Sequence, residues 1–184
     1  PPRSTLFPYT TLFRSMRDIQ VLTPMHKGLA GTLHLNQVLQ GALNGAGKEG
    51  DEGPSAFGRF RAGDKVMHLK NNYEKEVFNG DIGTVRSVEP SRRRLTVSFE
   101  GRPVSYDFAE LEELSLAYAI SVHKSQGSEY PAVVTALVMG HYPLLQRNLL
   151  YTAMTRGKRL VILVGSRRAL VRALENDQIG RAHV

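Results

Sequence analysis

Val133-Val134-Thr135-Ala136-Leu137-Val138-Met139 and Leu160-Val161-Ile162-Leu163-Val164 are the stretches on which the fold turns. Each is a short apolar run with no charge and no alternation. Such a run keeps no polar face for water, so it reads as a buried strand of a parallel sheet covered by helices. Between them, Leu144 to Thr155 carries helical apolar spacing. Gly165 ends the second run, and Ser166 supplies a side-chain cap for a helix through Glu175. Upstream, Ile19-Gln20-Val21-Leu22 reads as a short strand and Thr23 to Gly28 as the turn leaving it. Leu33, Leu35, Val38, Leu39 and Leu43 then predict a helix from Gly31 to Asn44.

The middle of the chain has a different texture. Gly45 to Pro54, rich in Gly, Lys and acids, reads as a linker. From Phe57 to Leu114, the runs Val66–Leu69, Ile82–Val85, Leu95–Phe99 and Val104–Tyr106 are candidate strands. Asn79-Gly80-Asp81, Pro90-Ser91 and Glu100-Gly101 are the turns between them. Short strands at this density predict a small β barrel. Leu116 to Lys124 reads as helical or extended, with a loop from Ser125 to Pro131. One α/β domain carrying a β insertion accounts for this order: 16–56 and 115–178 as its two parts, 57–114 as the insert.

Composition sets outer bounds. With 184 residues, 41% of them hydrophobic, the chain can bury one moderate core or two small ones. No apolar run approaches the roughly 18 residues of a membrane span, so no membrane is expected. The absence of cysteine excludes disulfides and thiolate metal sites and fits a reducing cytoplasm. The formal charge of +7 points toward nucleic acid. Part of it belongs to the ends, however, because Arg3, Arg14 and Arg181 stand in segments 1–15 and 179–184, which contain no acid. Without those three, 24 − 3 = 21 basic residues face 17 acidic ones, a net of +4.

Those ends carry their own signal. Leu12-Phe13-Arg14-Ser15 can be encoded by CTC TTC CGA TCT, and the reverse complement contains ATC GGA AGA, which encodes the Ile179-Gly180-Arg181 of the other end. Both segments resemble translations of a sequencing-library adapter read on opposite strands. The genuine chain is therefore expected from about Met16 to Gln178.

Two segments carry chemistry. His123-Lys124-Ser125-Gln126-Gly127-Ser128-Glu129 puts a base, a cation, two hydroxyls, a glycine and a carboxylate in one loop. Gly127 lets backbone N–H groups approach an oxyanion, Lys124 adds charge, and Glu129 can accept from a ribose hydroxyl. On composition alone an ordinary polar loop explains it as well. Thr152-Ala153-Met154-Thr155-Arg156-Gly157-Lys158-Arg159 closes a helix and opens a strand with three cations. Arg156 suits a helix C-terminus, and its planar fork also suits a transferring phosphoryl group.

Ala119 to Tyr130 is similar to the fifth conserved motif of RecD-type superfamily 1 DNA helicases, and Arg147 to Arg156 resembles the sixth. Gly63-Asp64-Lys65-Val66-Met67 and Phe78-Asn79-Gly80-Asp81-Ile82-Gly83 resemble the SH3-like subdomain inserted in those enzymes. The resemblance covers roughly Ile19 to Leu174. It implies an α/β fold: a RecA-like second motor domain with an inserted SH3-like barrel, taking part in ATP-driven movement on single-stranded DNA, 5′ to 3′, in recombination or repair. By the same resemblance Arg156 is the catalytic residue reaching the γ-phosphate, and Gln126, Gly127 and Glu129 join it at the nucleotide. His123, Lys124 and Ser125 pass the nucleotide state to the DNA, along which Pro24, Met25, His26 and Lys27 lie.

No G-x-x-x-x-G-K-[ST] loop occurs in the sequence, nor an acid pair of the Walker B kind. ATP and Mg2+ are thus expected to be held mainly by an N-terminal RecA-like domain outside this chain, and the chain by itself is expected to be inactive, with no metal site of its own. Two other readings compete. One is the helicase part of a conjugative relaxase, which shares both motifs. The other is a stand-alone nucleic-acid-binding barrel, mildly favoured by Ser91-Arg92-Arg93-Arg94.

Overall fold

A computed structural model describes residues 17–45 and 59–177. The end segments 1–15 and 179–184, and the expected linker from residue 46 onward, lie outside the described residues. In chain order the elements are β1 (Ile19–Thr23), α1 (Thr32–Leu43), β2 (Lys65–His68), β3 (Ile82–Glu89), β4 (Arg94–Phe99), β5 (Arg102–Asp107), β6 (Leu114–Leu116), β7 (Ala119–Ser121), β8 (Tyr130–Leu137), α2 (Arg147–Met154), β9 (Gly157–Gly165) and α3 (Arg167–Glu175). They fall into two units: residues up to His34 with those from Ile120 onward, and Leu35–Ala119. No described helix is long and apolar enough to cross a membrane.

The first unit holds a sheet of order β7-β1-β8-β9. Strands β1, β8 and β9 run parallel, Val21 opposite Val134 and Val134 opposite Ile162. Leu137, Leu145, Leu150, Ala169 and Ala173 form a core against which Leu163 and Leu170 pack, so α2 and α3 cover that face. Burial of a leucine such as Leu137 contributes about 1.5–3 kcal/mol. Ser166 caps α3 by accepting from Ala169 N at 3.2 Å, an interaction worth about 1 kcal/mol.

Two expectations are corrected here. Strand β9 is not buried on both faces: Leu160, Ile162 and Val164 are 39%, 42% and 54% exposed. Its place at the sheet edge leaves it one neighbour, and these side chains alternate with the Leu163 that meets the helices. The helix expected from Leu144 begins later, at Arg147, after a 3-10 turn at Met139–Leu144. Gln146 is extended, and Asn176 at the end of α3 takes the groups a longer helix would use: its Nδ2 donates to Leu145 O at 2.9 Å and its O accepts from Arg147 N at 3.0 Å.

The second unit is an antiparallel sheet of order β5-β4-β3-β2-β6. Its core gathers Val66, Val85, Leu95, Val97, Tyr106, Leu111 and Leu114. Alternation is clearest in β5, where Val104 and Tyr106 point inward between exposed neighbours. Glu100 and Gly101, both at positive φ, make the tight turn from β4 to β5. Gly83 on β3 is needed for space: a Cβ there would stand 2.5 Å from Val97 Cγ1 and 2.9 Å from Phe99 Cδ1. Gly83→Ala is therefore expected to cost about 1–3 kcal/mol by overpacking, read as a lower midpoint in urea unfolding. The stretch from Leu116 to Lys124, helical or extended by sequence, is extended: β6 ends at Leu116, β7 follows, and a 3-10 turn spans His123–Ser125.

Candidate nucleotide and nucleic-acid site

The loop between β7 and β8 runs from the carboxyl end of β1 to the amino ends of β8 and β9. At its start Val122 N donates to Thr23 O at 3.1 Å, level with the carboxyl end of β1. At its end Tyr130 N donates to Arg156 O at 2.8 Å, level with the amino end of β9. The 3-10 turn between is fixed from below: Ser125, fully buried, donates through Oγ to Val122 O at 2.7 Å. Lys124 N donates to Ser121 Oγ at 3.2 Å, while the side chains of His123, Lys124 and Gln126 are exposed. Gly127 has φ +83 with open space where a Cβ would go, so it is needed for backbone conformation alone.

Arg156 follows α2, and three groups hold its half-buried guanidinium. Nε donates to Thr152 O at 3.3 Å, Nη1 to Ser128 O at 3.2 Å and Nη2 to Thr155 Oγ1 at 3.3 Å. Beside it Lys158 Nζ and Glu129 Oε2 are 2.9 Å apart. The hydrogen bond from Lys158, then its charge, holds the Glu129 carboxyl below the usual glutamate value, and Arg156 adds to the effect. Burial pushes the Tyr130 phenol up, against the opposing pull of Ser128 and Arg156. The structure thus gathers Gly127, Glu129 and Arg156 at the amino edge of β8 and β9. Sequence reading gave no role to Lys158, Ser128 or Thr152; the cation run at Lys158-Arg159 was visible, but its partner Glu129 was not.

The Pro24–Lys27 turn lies at the other edge. Pro24 to Lys27 follow the carboxyl end of β1, with Pro24 buried and His26 and Lys27 exposed. This turn is braced by Thr32 N donating to Met25 O at 3.0 Å, Leu33 N to His26 O at 3.1 Å, and a 2.6 Å contact between His26 Nδ1 and Thr32 Oγ1. His123 and Gln126 face Gln146, Asn148 and Thr152 across an open cleft of about 120 Å³. The groups at the amino edge, one guanidinium donor, one carboxylate acceptor and a glycine turn, fit part of a nucleotide. Among the described residues no three His, Asp or Glu side chains converge as metal ligands.

A parallel sheet with an arginine and a carboxylate on one edge and a basic turn on the other, in one chain with a small antiparallel barrel, has the parts of a helicase's second motor domain. Residues 35–99 match the SH3 domain of ATP-dependent RecD-like DNA helicases, and residues 116–164 the UvrD-like helicase C-terminal domain. The chain belongs to the RecD-like helicase family. It is 46% identical over 149 residues to the ATP-dependent RecD2 DNA helicase of Deinococcus radiodurans, covering 80% of this chain and 20% of that protein. To the RecBCD enzyme subunit RecD of Mycobacterium tuberculosis it is 34% identical over 159 residues, covering 86% and 26%. The chain therefore spans a fifth to a quarter of these relatives. Among solved structures, a Pif1 helicase from Bacteroides in complex with ADP-AlF3 and ssDNA shares the fold with TM-score 0.60 at 18% identity, over 86% of this chain and 42% of that one. The fold is RecA-like α/β with an SH3-like barrel.

Proposed function

We propose that this chain is the C-terminal motor part of a cytoplasmic helicase that couples ATP hydrolysis to 5′-to-3′ movement on single-stranded DNA in recombination or repair. Residues 16–56 and 115–178 form its second RecA-like domain and 57–114 the SH3-like insert. An N-terminal RecA-like domain supplies the phosphate loop and the magnesium ligands. Arg156 meets the γ-phosphate, Gln126, Gly127 and Glu129 the rest of the nucleotide, and ATP is clasped between the two domains. His26, Lys27, His123 and Lys124 face the DNA, with Pro24, Met25 and Ser125 shaping the backbone that presents them.

One observation carries this reading. The loop Val122 to Glu129 is bonded at one end to the carboxyl edge of β1, beside the Pro24–Lys27 turn, and at the other to Arg156. A change at the nucleotide edge therefore has a covalent, hydrogen-bonded route to the DNA edge.

The chain alone is expected to show no ATPase above background with single-stranded DNA and magnesium. Extending it by the upstream coding sequence is expected to restore a DNA-stimulated ATPase. Turnover by the chain alone that survives purification and disappears in Arg156→Ala would overturn the division of labour. An extended protein that binds DNA and never hydrolyses ATP would leave a binding module instead. An upstream histidine metal cluster with a catalytic tyrosine would mark a relaxase.

A further inference from the structure

The start of β9 is irregular in a way that aims a second cation at the nucleotide edge. Tyr130 pairs with Gly157 and Ala132 with Leu160, so Pro131 alone stands opposite both Lys158 and Arg159. Proline has no N–H for the ladder, and the extra residue forms a bulge, which bends the strand and re-aims its side chains. At this bulge Lys158 Nζ comes within 2.9 Å of Glu129 Oε2. The Glu129 loop and the segment entering β9 are also joined by Tyr130 N to Arg156 O at 2.8 Å and Arg156 Nη1 to Ser128 O at 3.2 Å. Gly157 makes room for the bulge: a Cβ there would lie 2.6 Å from Val161 Cγ2 and 2.9 Å from Leu160 O of the same strand.

A glutamate on an exposed loop has three side-chain torsions to fix before it can accept a hydrogen bond in one place, and ordering them opposes binding. The bond from Lys158 fixes them beforehand. It also occupies one lone-pair direction on Oε2 and leaves Oε1 open to a hydroxyl donor. At neutral pH the carboxylate is ionised with or without Lys158, so what the lysine contributes is geometry.

We propose that Lys158 is a positioning residue that holds the Glu129 carboxylate for a ribose hydroxyl of the bound nucleotide, and so sets the preference for ribonucleotides over deoxyribonucleotides. This rests on the reading of Glu129 as a nucleotide-facing residue. Both side chains are more than half exposed, so the effect is modest: up to about fivefold in discrimination.

The test uses the complete protein with saturating single-stranded DNA, and measures kcat/KM for ATP, 2′-deoxyATP and 3′-deoxyATP in competition. Taking the ratio between nucleotides cancels salt effects on DNA binding. Lys158→Ala is expected to lower the ATP-to-deoxynucleotide ratio about three- to fivefold through KM more than kcat. Lys158→Arg is expected to keep the ratio, and the wild-type advantage is expected to shrink as salt screens the pair. If Glu129→Ala removes the preference and Lys158→Ala leaves it intact, the positioning role is overturned while the reading of Glu129 stands. If Glu129→Ala itself leaves the preference intact, the ribose reading fails and the inference with it. A fall in kcat with an unchanged ratio in Lys158→Ala would mean that the lysine acts on phosphate, which also overturns the proposal.

Discussion

Arg156→Ala in the complete protein is expected to lower kcat by about three to five orders of magnitude, the scale of arginine fingers in nucleotide hydrolases, with a much smaller change in ATP affinity. In the role proposed for it, the guanidinium would meet charge that grows on the transferring phosphoryl group, and would so stabilise the transition state more than bound ATP. Its anchors leave that possible. The three acceptors are two backbone carbonyls and a hydroxyl, Thr152 O, Ser128 O and Thr155 Oγ1, at 3.2–3.3 Å. No carboxylate neutralises it within these contacts, and bonds of that length are readily exchanged for a phosphate oxygen. Arg156→Lys is expected to restore little, since an ammonium cannot bond several separated acceptors along a planar fork. If Arg156 only completes the end of α2, its removal costs at most about 1 kcal/mol of stability and leaves kcat near normal. Pre-steady-state turnover, nucleotide titration and thermal unfolding on the same variants separate the two outcomes.

The sequence was legible where periodicity and local chemistry coincide. The runs at Ile19, Val133 and Leu160 are strands, Ser166 is the expected cap, and the Gly-containing turns fall between antiparallel strands. It was misleading at β9, because an apolar run does not say whether a strand is central or at an edge. It was misleading at Leu144 too, where the helix start is decided by Asn176, a residue far along the chain. The chemistry of the two motif loops could be read one loop at a time. Their mutual contacts, Arg156 to Ser128 and Lys158 to Glu129, depend on parallel strands meeting across 28 and 29 positions of sequence, which no local pattern encodes.

The same limit applies to Asp64, and there the expected effect on stability is largest. In sequence it is one letter of the stretch resembling the inserted barrel; in the structure it is fully buried and accepts four hydrogen bonds. Oδ1 receives Asn44 Nδ2 at 2.7 Å and Tyr118 OH at 2.8 Å, and Oδ2 receives Gln40 Nε2 at 2.6 Å and Arg61 N at 2.7 Å. These donors come from α1 and the residue after it, the approach to β2 and the segment after β6, so one carboxylate ties the ends of the Leu35–Ala119 unit together. Burial first, and then the Asp64 charge, push the Tyr118 phenol up, as befits a proton held against a carboxylate. Asp64→Ala leaves four donors facing no acceptor, at about 1–3 kcal/mol for each one that stays buried and unpaired; allowing for relaxation, the loss is expected to reach about 3–5 kcal/mol. Asp64→Asn separates charge from shape. Its amide can stand at the Oδ1 position if Asn44 flips, which sacrifices the 3.0 Å bond from Asn44 Nδ2 to Ala62 O. The asparagine variant is therefore expected to lose about half as much as the alanine. Urea unfolding followed by tyrosine fluorescence measures both. An alanine variant within about 0.5 kcal/mol of the parent, the range of an ordinary surface substitution, would mean that the four bonds do not hold the unit together.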